Sequence, residues 1–160
     1  GGDDSGSGDT DASTGGDDAS TGGGGDAVPT NAAELLPFLE ADEYRDFPAE
    51  SAVHAQTNGS PHGMVRVFIN QALDDSLSAG NEAHPVGAAS VKELYDGDGA
   101  TLIGWAVMVK TAEDSAGGQG WYWYEILNGQ VIADDLGDTT CIGCHNAGGS
   151  DLFRTNYPLQ

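Results

Sequence analysis

Near its C-terminus the chain reads Cys141-Ile142-Gly143-Cys144-His145, and no other feature constrains the fold as strongly. These are the only two cysteines in 160 residues, so a framework of several disulfides is excluded. C-x-x-C-H is the attachment signature of c-type haem. Two thiols with two residues between them can both reach the vinyl groups on one edge of a porphyrin. The adjacent His145 then brings its imidazole to the iron as proximal ligand. Zinc is the weaker reading, because a structural zinc site takes about four protein ligands and only three cluster here. A thioredoxin-like C-x-x-C belongs in a βαβ setting that this sequence lacks. The fold must therefore place Cys141, Cys144 and His145 beside an apolar wall able to hold one covalent haem c and its iron.

Covalent haem is installed outside the cytoplasm, so the motif predicts a periplasmic or outer-surface protein. The N-terminus agrees. Residues 1–26 hold ten Gly and seven Asp and no aromatic, large aliphatic or basic residue. Such a segment cannot bury enough apolar surface to offset about 1–2 kcal/mol of backbone entropy per residue. Residues 1–29 read as a flexible acidic tether, and residues 30–160 as the folded domain. A lipidated cysteine upstream of Gly1 would make the tether a lipoprotein spacer. The formal charge is −21, with 26 Asp and Glu against five Lys and Arg, and −14 remains on residues 27–160. That balance excludes nucleic acid and anionic headgroups as partners, because both need a basic footprint. It suits a basic redox partner. No apolar run approaches the roughly 18–20 residues that span a bilayer.

Within the domain, Thr30 and Asn31 are good N-caps, and Leu35, Leu36, Phe38, Leu39 and Tyr44 recur near helical spacing. A helix is predicted over about 31–46, with Pro37 marking a break or a first turn. Residues 54–63 read as loop, with Asn58-Gly59 and Ser60-Pro61 as turn dipeptides. Strands are predicted at 64–70, 88–95, 101–110, 120–127 and 130–133, and a short helix at 71–78. Asp96-Gly97-Asp98-Gly99 and Asn128-Gly129 mark hairpins. The result is an α+β domain, a mostly antiparallel sheet of four to five strands with flanking helices.

The second axial position is open to His54, His62, His84, Met64 and Met108. His54 and His84 lie in polar loops and read as surface residues. Met108 lies mid-strand, where methionine usually fills core. His62 is the best distal candidate. Trp121 and Trp123 share one side of their strand, and Tyr122 and Tyr124 the other. Either face could wall a haem. Lys92 is one of two lysines and sits in an apolar strand. It reads either as an edge-strand lysine that discourages sheet-to-sheet pairing or as a functional amine.

The blocks His84–Leu94, Gly104–Lys110, Gly120–Tyr124 and Cys141–His145, with a looser match over 151–158, resemble the cytochrome P-460 family. The resemblance runs from about Pro61 to Pro158. It implies a mostly antiparallel, usually dimeric domain with one five-coordinate c-type haem. Its distal side would be open to small nitrogen ligands, hydroxylamine or nitric oxide. Enzymes of the family oxidise hydroxylamine and carry a lysine joined to the porphyrin. A branch similar to cytochrome c-prime-beta lacks the link and binds nitric oxide or carbon monoxide. Lys92 stands where the cross-linking lysine stands. Ala106 stands where the catalytic members carry a carboxylate, and alanine cannot act as a general base. The expectation is ligand binding with at most slow redox turnover. The alternative is a six-coordinate electron carrier using His62 or Met108.

Overall fold

A computed structural model describes residues 1–2, 26–56 and 60–160. Most of the predicted tether and the Asn58-Gly59 turn lie outside the described residues.

The domain is built on one six-stranded, wholly antiparallel meander, β1 (His54–Ala55), β2 (Met64–Ile69), β3 (Ala89–Tyr95), β4 (Leu102–Lys110), β5 (Trp121–Leu127) and β6 (Gln130–Leu136), paired in sequence order. The α+β reading holds with one strand more than expected. The addition is β1, two exposed residues, too few to carry an alternation. β6 runs three residues beyond its predicted end, through Asp134 and Asp135. The β5–β6 hairpin turns on Asn128 and Gly129, both at positive φ (+50° and +75°), the geometry that Asn-Gly favours.

Helix α1 (Ala32–Glu40) is capped by Asn31, whose Oδ1 accepts from the Glu34 amide at 3.0 Å. Pro37 sits inside α1 without ending it. The predicted extension to residue 46 is not helical. Asp42 takes φ +59°, and the chain turns there to carry Tyr44 into the core, fully buried. Helix α2 (Gln71–Ser78) matches its predicted span. Its cap, Asn70, also knits three segments together. Asn70 Oδ1 accepts from Leu73 and Ala89, and Nδ2 donates to Asp26 O and Gly87 O. Helix α3 (Thr139–His145), capped by Asp138, carries the whole C-x-x-C-H motif.

Side chains alternate across the sheet, and the two faces have different partners. On one face Ala89, Val91, Val107, Val109, Tyr122, Tyr124 and Ile126 pack against Leu35, Phe38 and Leu39 of α1. On the other, Val67, Ile69, Met108, Trp121 and Trp123 pack against Leu73 of α2, α3 and the C-terminal Leu152 and Phe153. The tryptophans thus face the motif helix and the tyrosines do not, which settles what the alternation left open. Glu93, next to Lys92 but on the α1 face, is fully buried. It accepts from Tyr44 and Tyr95 hydroxyls, each at 2.6 Å, and pairs with Arg45 at 2.8 Å.

A candidate haem-binding cleft

Between α3 and the tryptophan face lies a cleft that brings the C-x-x-C-H motif opposite the sheet. Its wall is the sheet itself, with Ala106, Met108 and Trp123, closed by Phe153. The register sets this wall. Val67 pairs with Lys92, Lys92 with Ala106, and Ala106 with Glu125, so one row crosses four strands on one face.

Cys141, Cys144 and His145 line the opposite side. Both cysteines are free thiols, Cys141 half-buried and Cys144 exposed. Burial, reinforced by the carboxylate of Asp138, pushes the Cys141 thiol up to about 12. His145 Nδ1 lies 2.7 Å from Leu152 O. A carbonyl only accepts, so Nδ1 carries the proton and Nε2 keeps its lone pair. Burial holds the imidazole pKa below its ordinary value, favouring the neutral form a metal ligand needs. Trp123 meets the imidazole edge to face, 4.8 Å between centroids. Among the described residues no three His, Cys, Asp or Glu side chains converge on a bare metal ion. Two accessible thiols, an imidazole with a free Nε2 and an apolar wall fit a porphyrin instead. Arg154, anchored to Cys144 O at 2.7 Å, also lines the cleft and is the cation that carboxylate substituents of a porphyrin would require.

Lys92 is not an edge lysine. β3 lies between β2 and β4 inside the sheet, and Lys92 faces the cleft. Burial draws its amine down to about 8, against the pull of the Glu50 and Glu125 carboxylates. His62 also lines the cleft, and burial, with lesser contributions from Lys92 and His145, draws it down to about 3. Ala106 lies where expected, on the cleft wall, but a carboxylate stands next to it. Glu125 follows Trp121 and Trp123 on the same face, faces the cleft, and is raised by burial against the pull of Lys92. The two-residue period that pairs the tryptophans points to Glu125 one step further on. The family resemblance directs attention to β4 alone, and only the β4–β5 register brings Glu125 beside Ala106.

Of the remaining candidates, Met108 is a cleft-wall residue, 4% exposed. Met64 starts β2 outside the cleft. His54 is half-exposed, with Nε2 2.9 Å from Glu50 Oε2 and Nδ1 3.0 Å from Ala55 O. His84 is a correction. It is 2% exposed, not a surface residue. Its Nε2 donates to Ser150 O at 3.2 Å and Nδ1 accepts from Ser76 at 2.9 Å, so a polar loop is drawn into the core by hydrogen bonds remote in sequence.

A search among curated proteins finds no match. The family model for cytochrome P460 matches residues 41–151. That span holds the whole sheet, the row from Lys92 to Glu125 and the motif helix. The chain therefore belongs to the cytochrome P460 family and is a c-type cytochrome of that family.

Proposed function

We propose that this cytochrome is an exported mono-haem protein that binds hydroxylamine and oxidises it. The haem would be attached through Cys141 and Cys144, with His145 as the axial ligand. The observation that carries the reading is Glu125, a carboxylate on the same cleft as the C-x-x-C-H motif. Held by His145, a haem would supply the redox chemistry and bind the small nitrogen ligand. The chain's own residues do the rest. Trp123, Met108 and Phe153 exclude water. Glu125 Oε2 takes a proton from the bound hydroxylamine. His62 Nδ1 stands 4.0 Å away and stays neutral, so it adds no positive charge that would weaken Glu125 as a base. Lys92 presents to the cleft an amine that makes no hydrogen bond among the described residues, and it is the residue we assign to the porphyrin link.

The test is hydroxylamine oxidation with an artificial electron acceptor, alongside ferric, ferrous and nitric-oxide spectra. Turnover with a five-coordinate ferrous form supports the reading. Nitric oxide binding without turnover moves the protein to the ligand-binding branch. His62, which lines the cleft and whose ring nitrogens accept no hydrogen bond among the described residues, favours a second reading, a six-coordinate electron carrier. A sharp-banded low-spin ferrous spectrum lost in His62→Ala would establish that one instead.

The same reading includes a periplasmic or outer-surface location, a lipid-anchored tether, a homodimer and a basic cytochrome as redox partner. Surface potentials act over about 8–10 Å at physiological salt. Electron exchange with a basic partner should therefore slow as salt rises, and a flat dependence would remove the steering claim.

A further inference from the structure

The turn that follows the motif helix is held in a conformation its residues do not favour. Ser150 and Phe153 form an isolated antiparallel bridge, with the Phe153 amide donating to Ser150 O at 2.9 Å and the Ser150 amide to Phe153 O at 3.0 Å. The two residues between them, Asp151 and Leu152, both have positive φ, +47° and +73°. Two-residue turns of this mirror-image kind normally take Asn-Gly, Asp-Gly or Gly-Gly, because a side chain at positive φ crowds its own backbone. A leucine stays in that region only where its surroundings over-determine it.

Here they do. Lys110, 1% exposed at the end of β4, places Nζ 2.5 Å from Asp151 Oδ2. The main-chain amide of His84 donates to the same oxygen at 2.9 Å. The Ser115 hydroxyl donates to Oδ1 and itself accepts from Lys110 Nζ and from Trp121 Nε1. The Leu152 side chain is buried in the tryptophan-side core. What the turn offers to the cleft is the Leu152 carbonyl, the acceptor for His145 Nδ1. Lys110 and Asp151 themselves do not line the cleft. As a source of stability a buried ion pair is no better than well-packed apolar residues of similar volume. Its place here has a different use.

We propose that the Lys110–Asp151 pair is the positioning element of the axial histidine. It pins the strained turn, and the turn holds the Leu152 carbonyl where it sets the tautomer, rotation and donor strength of His145. Partners of this kind raise ligand basicity, and their loss typically changes metal affinity or activity about 10–100-fold. A stronger donor favours ferric over ferrous iron, so loosening the turn should raise the reduction potential. The inference rests on His145 being the iron ligand.

The test uses the haem-loaded protein and two variants, Asp151→Asn and Ser115→Ala. The readouts are the iron–imidazole stretching band of the ferrous form and the reduction potential. Asp151→Asn should lower the band and raise the potential. A tenfold loss of ferric preference corresponds to about 59 mV for a one-electron couple. Ser115→Ala removes one of the bonds to Asp151 and should move both readouts in the same direction, by less. If Asp151→Asn does not fold, Ser115→Ala decides alone. Variants that lose melting temperature while both readouts stay put would show a purely structural pair and overturn the proposal. If the unaltered protein shows no iron–imidazole band, the assignment of His145 fails and the proposal fails with it. A band that is present but unmoved overturns the proposal alone.

Discussion

The carboxylate of Glu125 faces the imidazole of His62 in the cleft, with Oε2 4.0 Å from Nδ1. Burial pushes the carboxyl up and the imidazole down, each toward its neutral form. A carboxylate whose pKa is raised is a better proton acceptor than an exposed one, and its uncharged neighbour adds no positive charge that would lower it again.

Glu125 acts as a base only when ionised, so hydroxylamine turnover should rise with pH through its raised pKa and then level off. Glu125→Gln should lower kcat by about 10²–10⁴-fold, the usual contribution of a positioned base, and abolish the rise. A pH–rate profile of both proteins checks this. An unchanged profile in the Gln variant would remove Glu125 from the mechanism.

Lys92 should be recovered joined to the porphyrin. In a tryptic digest of the coloured protein, the peptide carrying Lys92 should travel with the peptide carrying Cys141 and Cys144. Lys92→Ala should return an ordinary c-type spectrum with a blue-shifted ferrous Soret band. A free Lys92 peptide in the mature protein would place it with the branch that lacks the link.

His84 should make the fold acid-sensitive. Burial holds its folded pKa below the unfolded value of about 6.5. Below that value the unfolded chain takes up a proton that the folded chain refuses. The His84 contribution is therefore complete above about pH 6.5 and is lost as pH falls toward the lowered folded value. Urea midpoints measured from about pH 7 to pH 5 should fall in the native protein and fall less steeply in His84→Gln. Equal slopes would show that His84 is not the group responsible.

Leu39→Ala should destabilise without touching the cleft. Leu39 is fully buried on the inner side of α1, against the face of the sheet away from the motif. The expected loss is about 2–5 kcal/mol, read as a lower urea midpoint, with the haem spectrum unchanged. A spectral change would show that the two faces of the sheet are mechanically linked.

Elements whose causes lie within a few consecutive residues are legible in the amino-acid sequence. The 71–78 helix, the strands beginning at Met64 and Trp121, the Asn128-Gly129 turn and the C-x-x-C-H motif all belong to this group. Each follows from spacing, capping or turn chemistry that contiguous residues carry on their own. The end of α1 is not legible in this way, because Tyr44 continues the helical spacing while burial against Phe68 pulls the chain into a turn at Asp42.

The site divides along the same line. Cys141, Cys144 and His145 form one short helix, so their chemistry is written in their order. Lys92, Ala106 and Glu125 stand side by side because of strand register, and register is settled by pairing between segments many residues apart. The same holds for His84, buried through bonds to Ser76 and Ser150, and for Asp151, held by Lys110, Ser115 and His84. A motif names the cofactor because covalent reach is local. Which base, which amine and which carbonyl meet that cofactor depends on packing, which brings distant residues together and leaves no trace in their spacing.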